Sequence, residues 1–107
     1  MRRILGRDHR VAIISSSNLA LALSRQGKYT DAVELELEVV VQQTRLLGAE
    51  HEHTLISATN LACSLLKCGR KTEGKQLLRK TLALCRRALG PAHQQTQNVL
   101  QNLSARS

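Results

Sequence analysis

The chain repeats its own sequence every 42 residues, and this repeat constrains the fold more than any other feature. Laid over itself at that offset, the segment 5–46 matches the segment 47–88 at 13 of 42 positions without a gap. The motifs Leu-Gly-x-x-His and Asn-Leu recur in both units and in residues 89–107, starting at Leu5, Leu47, Leu89, Asn18, Asn60 and Asn102. Repeats of this length are typical of solenoids, in which each unit buries its apolar face against the next.

Within each unit, apolar and small residues recur at intervals of three and four, which is the spacing of one helix face. Gly27 and Gly69 interrupt this pattern in the middle of each unit, where glycine readily ends a helix. Thr30 then offers an N-cap oxygen, and Asp31 suits the positive end of a helix dipole. The pattern predicts helices over residues 10–25, 30–46, 53–67, 72–87 and 93–105.

The predicted core is aliphatic, because Tyr29 is the only aromatic residue of the chain. Its expected members are Ala12, Ser16, Leu19, Ala20, Leu23, Ala32, Leu35, Val39, Leu46, Ala58, Leu61, Ala62, Leu65, Leu77, Leu78, Leu82, Cys85, Val99, Leu100 and Leu103. We predict an all-α fold, a right-handed α-solenoid of antiparallel helix pairs with about 2.5 repeats. A single domain covers residues 1–107, with repeats at 5–46 and 47–88 and a partial repeat or capping helix at 89–107.

The composition argues against a membrane-spanning or secreted protein. No run approaches 18 consecutive apolar residues, and the basic start lacks the apolar core of a signal peptide. Cys63, Cys68 and Cys85 do not have the spacing of a disulfide framework, so we expect reduced thiols. The expected location is an intracellular, reducing compartment. The cytoplasm is favoured, and an organelle stays open because a transit peptide could have been removed.

The net charge of +8 is divided unevenly along the chain. Residues 31–52 carry six acids and one base, whereas residues 67–87 carry eight bases and one acid. This dipolar arrangement suggests head-to-tail self-association through exposed repeat ends as one hypothesis. An alternative is that the segment 67–87 binds nucleic acid or an anionic surface. Nucleic acid is the less favoured partner, because this segment has no aromatic residue to stack on bases.

The repeat motifs resemble the tetratricopeptide repeats of kinesin light chains over nearly the whole chain. The resemblance rests on L-G-x-x-H, N-L-A-x-x-L and G-x-Y-x-[DE]-A, which the first repeat matches at Gly27, Tyr29 and Ala32. The second repeat departs from it, with Lys71 for the tyrosine and Gly74 for the alanine. HEAT and armadillo repeats have similar periods, but these landmarks favour the tetratricopeptide type. The resemblance implies a non-catalytic adaptor or scaffold that binds a peptide segment or docks in a larger complex.

In such a stack the first helix of each pair lines the concave face. The resemblance implies a ladder of asparagines there, which hydrogen-bonds the backbone of an extended peptide; Asn18, Asn60 and Asn102 match it. The alternative is that these amides bond to the neighbouring repeat and hold the stack together. The predicted partner-binding groove consists of residues expected to face away from the core: Ser17, Asn18, Leu21, Arg25, Thr59, Asn60, Cys63, Lys67, Gln101 and Asn102. Ser24, Leu66 and Ala105 are expected on the same side.

The sequence offers no arrangement for catalysis, a metal or a cofactor. His9, His51 and His93 recur at the repeat period, but packed helices stand about 8–10 Å apart, too far for one zinc ion. We interpret these histidines as structural bridges in the loops between repeats, and His53 falls outside their pattern. The acids Glu34, Glu36 and Glu38 are expected to form a solvated outer face. We therefore predict no enzyme activity and no cofactor.

Overall fold

The computed structural model describes the backbone of residues 6–106 and the side chains of residues 13–104. This part of the chain forms the helices α1 (Gly6–Arg25), α2 (Tyr29–Leu47), α3 (Glu52–Lys67), α4 (Lys71–Ala88) and α5 (Gln94–Arg106). Each helix packs against the next along the chain, and α5 also contacts α3. The predicted all-α stack of helix pairs is confirmed. The side chains of His9 and Ala12 lie outside the described residues.

The two helix pairs turn in the same way, at glycines one repeat apart. Gly27 and Gly69 have backbone φ angles of +83° and +97°, which residues with a Cβ rarely adopt. The residue after each glycine, Lys28 or Arg70, donates its N–H to the carbonyl five residues earlier at 2.8 Å. This bond is the mark of a Schellman turn, so the predicted role of Gly27 as a C-terminal cap is confirmed.

The predicted N-cap at Thr30 is wrong. Helix α2 begins one residue earlier, at Tyr29, and Lys28 occupies the N-cap without a side-chain capping bond. The turn at Gly27 leads directly into the helix, because the Lys28 carbonyl already accepts the N–H of Ala32 at 3.1 Å. Asp31 does lie in the first turn of α2, as expected from the helix dipole.

The core is aliphatic and lies along the seams between consecutive helices. One apolar cluster joins α3, α4 and α5, and a smaller one joins α2 and α3. Ten of the predicted core residues are buried: Ala20, Ala32, Val39, Ala58, Leu61, Ala62, Leu65, Leu78, Cys85 and Val99. Burial raises the pKa of the Cys85 thiol, and Cys63 and Cys68 are half-buried thiols.

Three predicted core residues, Leu19, Leu46 and Leu100, are exposed to solvent instead. Neighbouring residues on an α-helix point about 100° apart, so a residue beside an inward-facing one turns toward solvent unless a second helix covers it. Ala20 and Val99 take the inward positions beside Leu19 and Leu100. Leu46 lies in the last turn of α2 and is 49% exposed. The predictions for these three residues are wrong.

Gly74 explains why the second repeat departs from the alanine of the motif. It is buried in α4, and a Cβ at this position would lie 2.8 Å from the Leu66 side chain and 3.0 Å from the Ala62 carbonyl oxygen. Helices α3 and α4 therefore approach each other more closely than an alanine would allow.

No helix in the described part of the chain is long and apolar enough to cross a membrane.

Candidate binding groove

A small open cavity lies where α1, α2 and α3 meet. Its volume is about 140 Å³, and its lining combines hydroxyls, amides, two apolar side chains and one acid: Ser17, Asn18, Leu21, Glu36, Val39, Ser57 and Asn60. A volume of roughly 150 Å³ holds one benzene molecule, whereas sites for drug-sized ligands begin near 300 Å³. The cavity therefore has room for one side chain. Four of the predicted groove residues line it, namely Ser17, Asn18, Leu21 and Asn60.

Two asparagines stand at the rim of this cavity, one on each first helix. Asn18 on α1 and Asn60 on α3 occupy the same position of consecutive repeats, and both are exposed. An asparagine amide offers two donors and an acceptor, so it can pair with a peptide group of any sequence. The two exposed amides fit the first two positions of the ladder, which stays a prediction.

The third asparagine is in a different situation. Asn102 is half-buried; its Nδ2 donates to the carbonyl of Asn98 at 2.8 Å, and its Oδ1 accepts from the thiol of Cys63 at 3.4 Å. The bond from Cys63 joins α3 to α5, and the bond to Asn98 lies within α5. Asn102 and Cys63 therefore have the contacts of the alternative role, in which the amide holds neighbouring repeats together.

Thr59 and Leu66 were expected to face away from the core, and both are buried. The Thr59 hydroxyl donates to the carbonyl of Leu55 at 2.9 Å and accepts from Nε2 of the buried Gln95 at 2.9 Å. Because α5 packs over this side of α3, the position of Thr59 is closed to solvent, and Leu66 belongs to the apolar cluster below it. The expectation for these two residues is wrong.

The remaining predicted groove residues, Arg25, Lys67 and Gln101, are exposed but do not line the cavity. Lys67 lies near the Gly69 turn, with its Nζ 5.4 Å from the centre of the Tyr29 ring. An ammonium at this distance is attracted to the face of the ring. Ser24, another residue expected on this side, is half-buried, and its hydroxyl lies 3.4 Å from that of Ser64.

The acid in the cavity lining, Glu36, corrects the prediction of a fully solvated acidic face on α2. Glu34 and Glu38 are exposed as expected, but the Glu36 side chain is only 8% exposed. Its Oε1 is buried, and no described residue donates a hydrogen bond to it. Desolvation raises the pKa of Glu36 from 4.5 to about 7, while a hydrogen bond with Ser64 opposes the rise.

Two sequence signals point to the burial of Glu36. It lies four residues after Ala32 and three before Val39, both buried, so these residues share one face of α2. The 42-residue offset also pairs Glu36 with Leu78, which is fully buried. The acidic side chain suggested solvent, but its position in the repeat indicates the interior.

Two polar positions of the cavity lining are apolar in the next repeat. At the 42-residue offset Glu36 and Ser57 correspond to Leu78 and Val99, which are both fully buried in the cluster that joins α3, α4 and α5. These two positions thus form a closed apolar contact at the second junction, whereas they line an open polar cavity at the first. The pair of Glu36 and Ser57 therefore distinguishes the first junction from the second.

The repeated histidines cap the first helices of the pairs. The Nδ1 atoms of His51 and His93 accept the N–H groups of His53 at 3.1 Å and Gln95 at 3.0 Å. His93 Nε2 also lies 3.7 Å from a carboxylate oxygen of Glu52, across the junction between repeats. These contacts agree with the structural role predicted in the inter-repeat loops. Among the described side chains, no cluster of three or more His, Cys, Asp or Glu could hold a metal ion.

The basic segment 67–87 is mostly exposed, and two of its arginines form ion pairs. Arg70 binds Glu73 at 2.7 Å, and Arg87 binds Glu50 at 2.8 Å. The basic charge is therefore partly compensated by acids of the same repeat. These contacts give no support to the alternative hypothesis of nucleic-acid or anionic-surface binding.

Comparison with known families gives two consecutive matches to the tetratricopeptide repeat, at residues 14–53 and 54–95. The matches cover most of the chain and run from α1 to the start of α5, and the 42-residue period fits this family. A comparison with curated proteins gives no match. Tetratricopeptide repeats generally mediate protein–protein interaction and are not catalytic modules. The helix pairs, their glycine turns and both family matches agree: the chain belongs to the tetratricopeptide repeat family.

Proposed function

We propose that the chain is a non-catalytic protein-binding module, an adaptor or scaffold, whose helices α1 and α3 hold an extended segment of another protein. The observation that carries this proposal is the pair of exposed amides, Asn18 and Asn60, at equivalent positions of consecutive repeats beside one cavity.

The spacing of the two amides suits an extended peptide. First helices of successive repeats stand about 10 Å apart in such packing, and an extended chain advances about 3.3 Å per residue. Asn18 and Asn60 can therefore reach peptide groups about three residues apart. The hydroxyls of Ser17 and Ser57 add polar partners between them, and Leu21 offers an exposed apolar contact.

The proposal is tested with the double variant Asn18→Ala/Asn60→Ala and a degenerate library of decapeptides passed over the immobilised chain. Retained peptides are quantified by mass spectrometry. Two lost amide–peptide bonds, at about 0.5–1.5 kcal/mol each, lower retention by about tenfold. The matched control is Gln26→Ala/Gln76→Ala, which removes two exposed amides that do not line the cavity.

We expect the control to retain peptides like the wild type. Circular dichroism melting of each variant verifies that the fold is intact. If the asparagine variant retains the library as well as the control does, binding lies outside this groove and the proposal is wrong.

A further inference from the structure

We propose that the cavity beside Asn18 and Asn60 takes the ammonium group of a lysine side chain from the bound segment, with the Glu36 carboxylate as its counter-ion. This inference rests on the proposed function, because the lysine belongs to the peptide held along α1 and α3. It assigns a chemical preference to a groove whose asparagines alone bind any sequence.

The first support is the unsatisfied acid. Glu36 lines the cavity and is only 8% exposed, so more than nine-tenths of it is buried. Its Oε1 receives no hydrogen bond from a described residue. An ionised carboxylate that is buried without a counter-ion costs several kcal/mol in other proteins, and such groups are normally paired. A cation entering the cavity supplies the missing donor, and hydrogen bonds between charged groups are the strong ones.

The second support is the match between the cavity and this side chain. An ammonium group has three N–H donors, and Glu36 with the hydroxyls of Ser17 and Ser57 offers oxygen acceptors for them. The apolar side chains of Leu21 and Val39 can contact the methylene stem, which lysine buries readily. The volume of about 140 Å³ accommodates one such side chain. A compact ammonium on a thin stem fits it better than a planar guanidinium fork.

The third support is the absence of a competing base within the lining. Glu36 is its one titratable group, so no lysine or arginine of the lining already occupies the acid. The residues that face Glu36 from the packed helices do not titrate between pH 5 and 9; they are Ser17, Asn18 and Leu21 of α1 and Ser57, Asn60 and Ser64 of α3.

The experiment compares two degenerate heptapeptide libraries on the immobilised chain at pH 8. One has lysine fixed at the central position, and the other has norleucine, which keeps the stem and lacks the ammonium. We expect about tenfold greater retention of the lysine library by the wild type. Glu36→Gln removes this preference. Glu34→Gln, which changes an exposed acid of the same helix, preserves it.

Acidity provides an independent readout that a merely steric role would not move. At pH 5.5 Glu36 is protonated, because its pKa is raised to about 7, whereas a peptide lysine stays charged. We therefore expect the wild type to lose the lysine preference at pH 5.5 while still retaining the norleucine library. Retention of norleucine peptides by Glu36→Gln shows that this variant keeps its groove.

The outcomes separate this inference from the proposed function. Equal retention of both libraries by the wild type, or an unchanged preference in Glu36→Gln, overturns the lysine site and leaves peptide binding in place. Retention of neither library by the wild type overturns both proposals. A lysine preference that disappears in Glu36→Gln and at pH 5.5, and persists in Glu34→Gln, establishes the site.

Discussion

Replacing Glu36 by glutamine is expected to stabilise the protein at neutral and alkaline pH. In the folded chain the pKa of this carboxyl is raised from 4.5 to about 7 by desolvation. Folding therefore retains a proton that the unfolded chain releases between these two pH values. The free energy of unfolding falls as the pH rises from 4.5 to 7, and it levels off above 7. Glutamine has a similar size and no charge, so the variant lacks this loss.

The magnitude follows from the two pKa values. Each pKa unit corresponds to about 1.4 kcal/mol, so the interval from 4.5 to about 7 amounts to about 3 kcal/mol. The cavity opens to solvent on one side and Glu36 bonds to Ser64, so we expect a gain of about 2–3 kcal/mol for Glu36→Gln at pH 8. That is a large share of the 5–15 kcal/mol typical of a folded domain. It corresponds to a rise in melting temperature on the order of 10 °C.

Urea unfolding followed by circular dichroism at pH 5, 6, 7 and 8 measures this difference. The two proteins should be nearly equally stable at pH 5 and diverge progressively up to pH 7. The control Glu34→Gln, at an exposed position, should remain parallel to the wild type. A stability difference between wild type and Glu36→Gln that does not change with pH would refute the burial of an ionisable Glu36.

Four further substitutions test the packing, a turn and an exposed ion pair, each by urea unfolding. Gly74→Ala should lower the free energy of unfolding by about 1–3 kcal/mol despite the helix propensity of alanine, because the added Cβ would collide with α3. A more stable variant would contradict the close approach of α3 and α4. Gly27→Ala, at φ +83° and in open space, should lose about 1–2 kcal/mol through backbone strain alone. Thr59→Val should lower the free energy of unfolding by about 1–3 kcal/mol, because it leaves the buried Gln95 amide without its acceptor. Arg87→Ala removes an exposed ion pair and should change the free energy of unfolding by less than about 1 kcal/mol.

The architecture was predictable because the repeat carries it. A gapless 42-residue period fixes the number of helices, and the glycines at Gly27 and Gly69 mark the turns because their positive φ requires that residue type. Which of two adjacent apolar residues faces inward was not predictable from spacing alone. Leu19 and Leu100 each stand beside another apolar residue, Ala20 and Val99, and either residue of the pair fits the spacing of an inward face. Only the position of the partner helix decides which of the two is buried.

The candidate groove was predictable in part. Asn18 and Asn60 were identified because they recur with the repeat, and the structure places both beside one cavity. Thr59 was misplaced because the packing of α5 over α3 has no local sequence signal. Glu36 was missed because an acidic side chain among other acids suggested solvent. Comparison with Leu78 at the repeat offset would have corrected that interpretation, since repeat position determines burial more strongly than side-chain polarity in a solenoid.

The first junction of the solenoid is thus less stable than it could be, and the reason lies in one residue. A leucine at position 36, as at Leu78, would fill the cavity and remove a buried acid that costs about 2–3 kcal/mol at pH 8. A cation seated beside Glu36 would lower its pKa again and return that free energy to the complex. We therefore expect the partner to raise the free energy of unfolding most above pH 7, where Glu36 destabilises the unliganded protein most. The affinity for the partner and the stability of the fold then both depend on the fraction of Glu36 that is ionised.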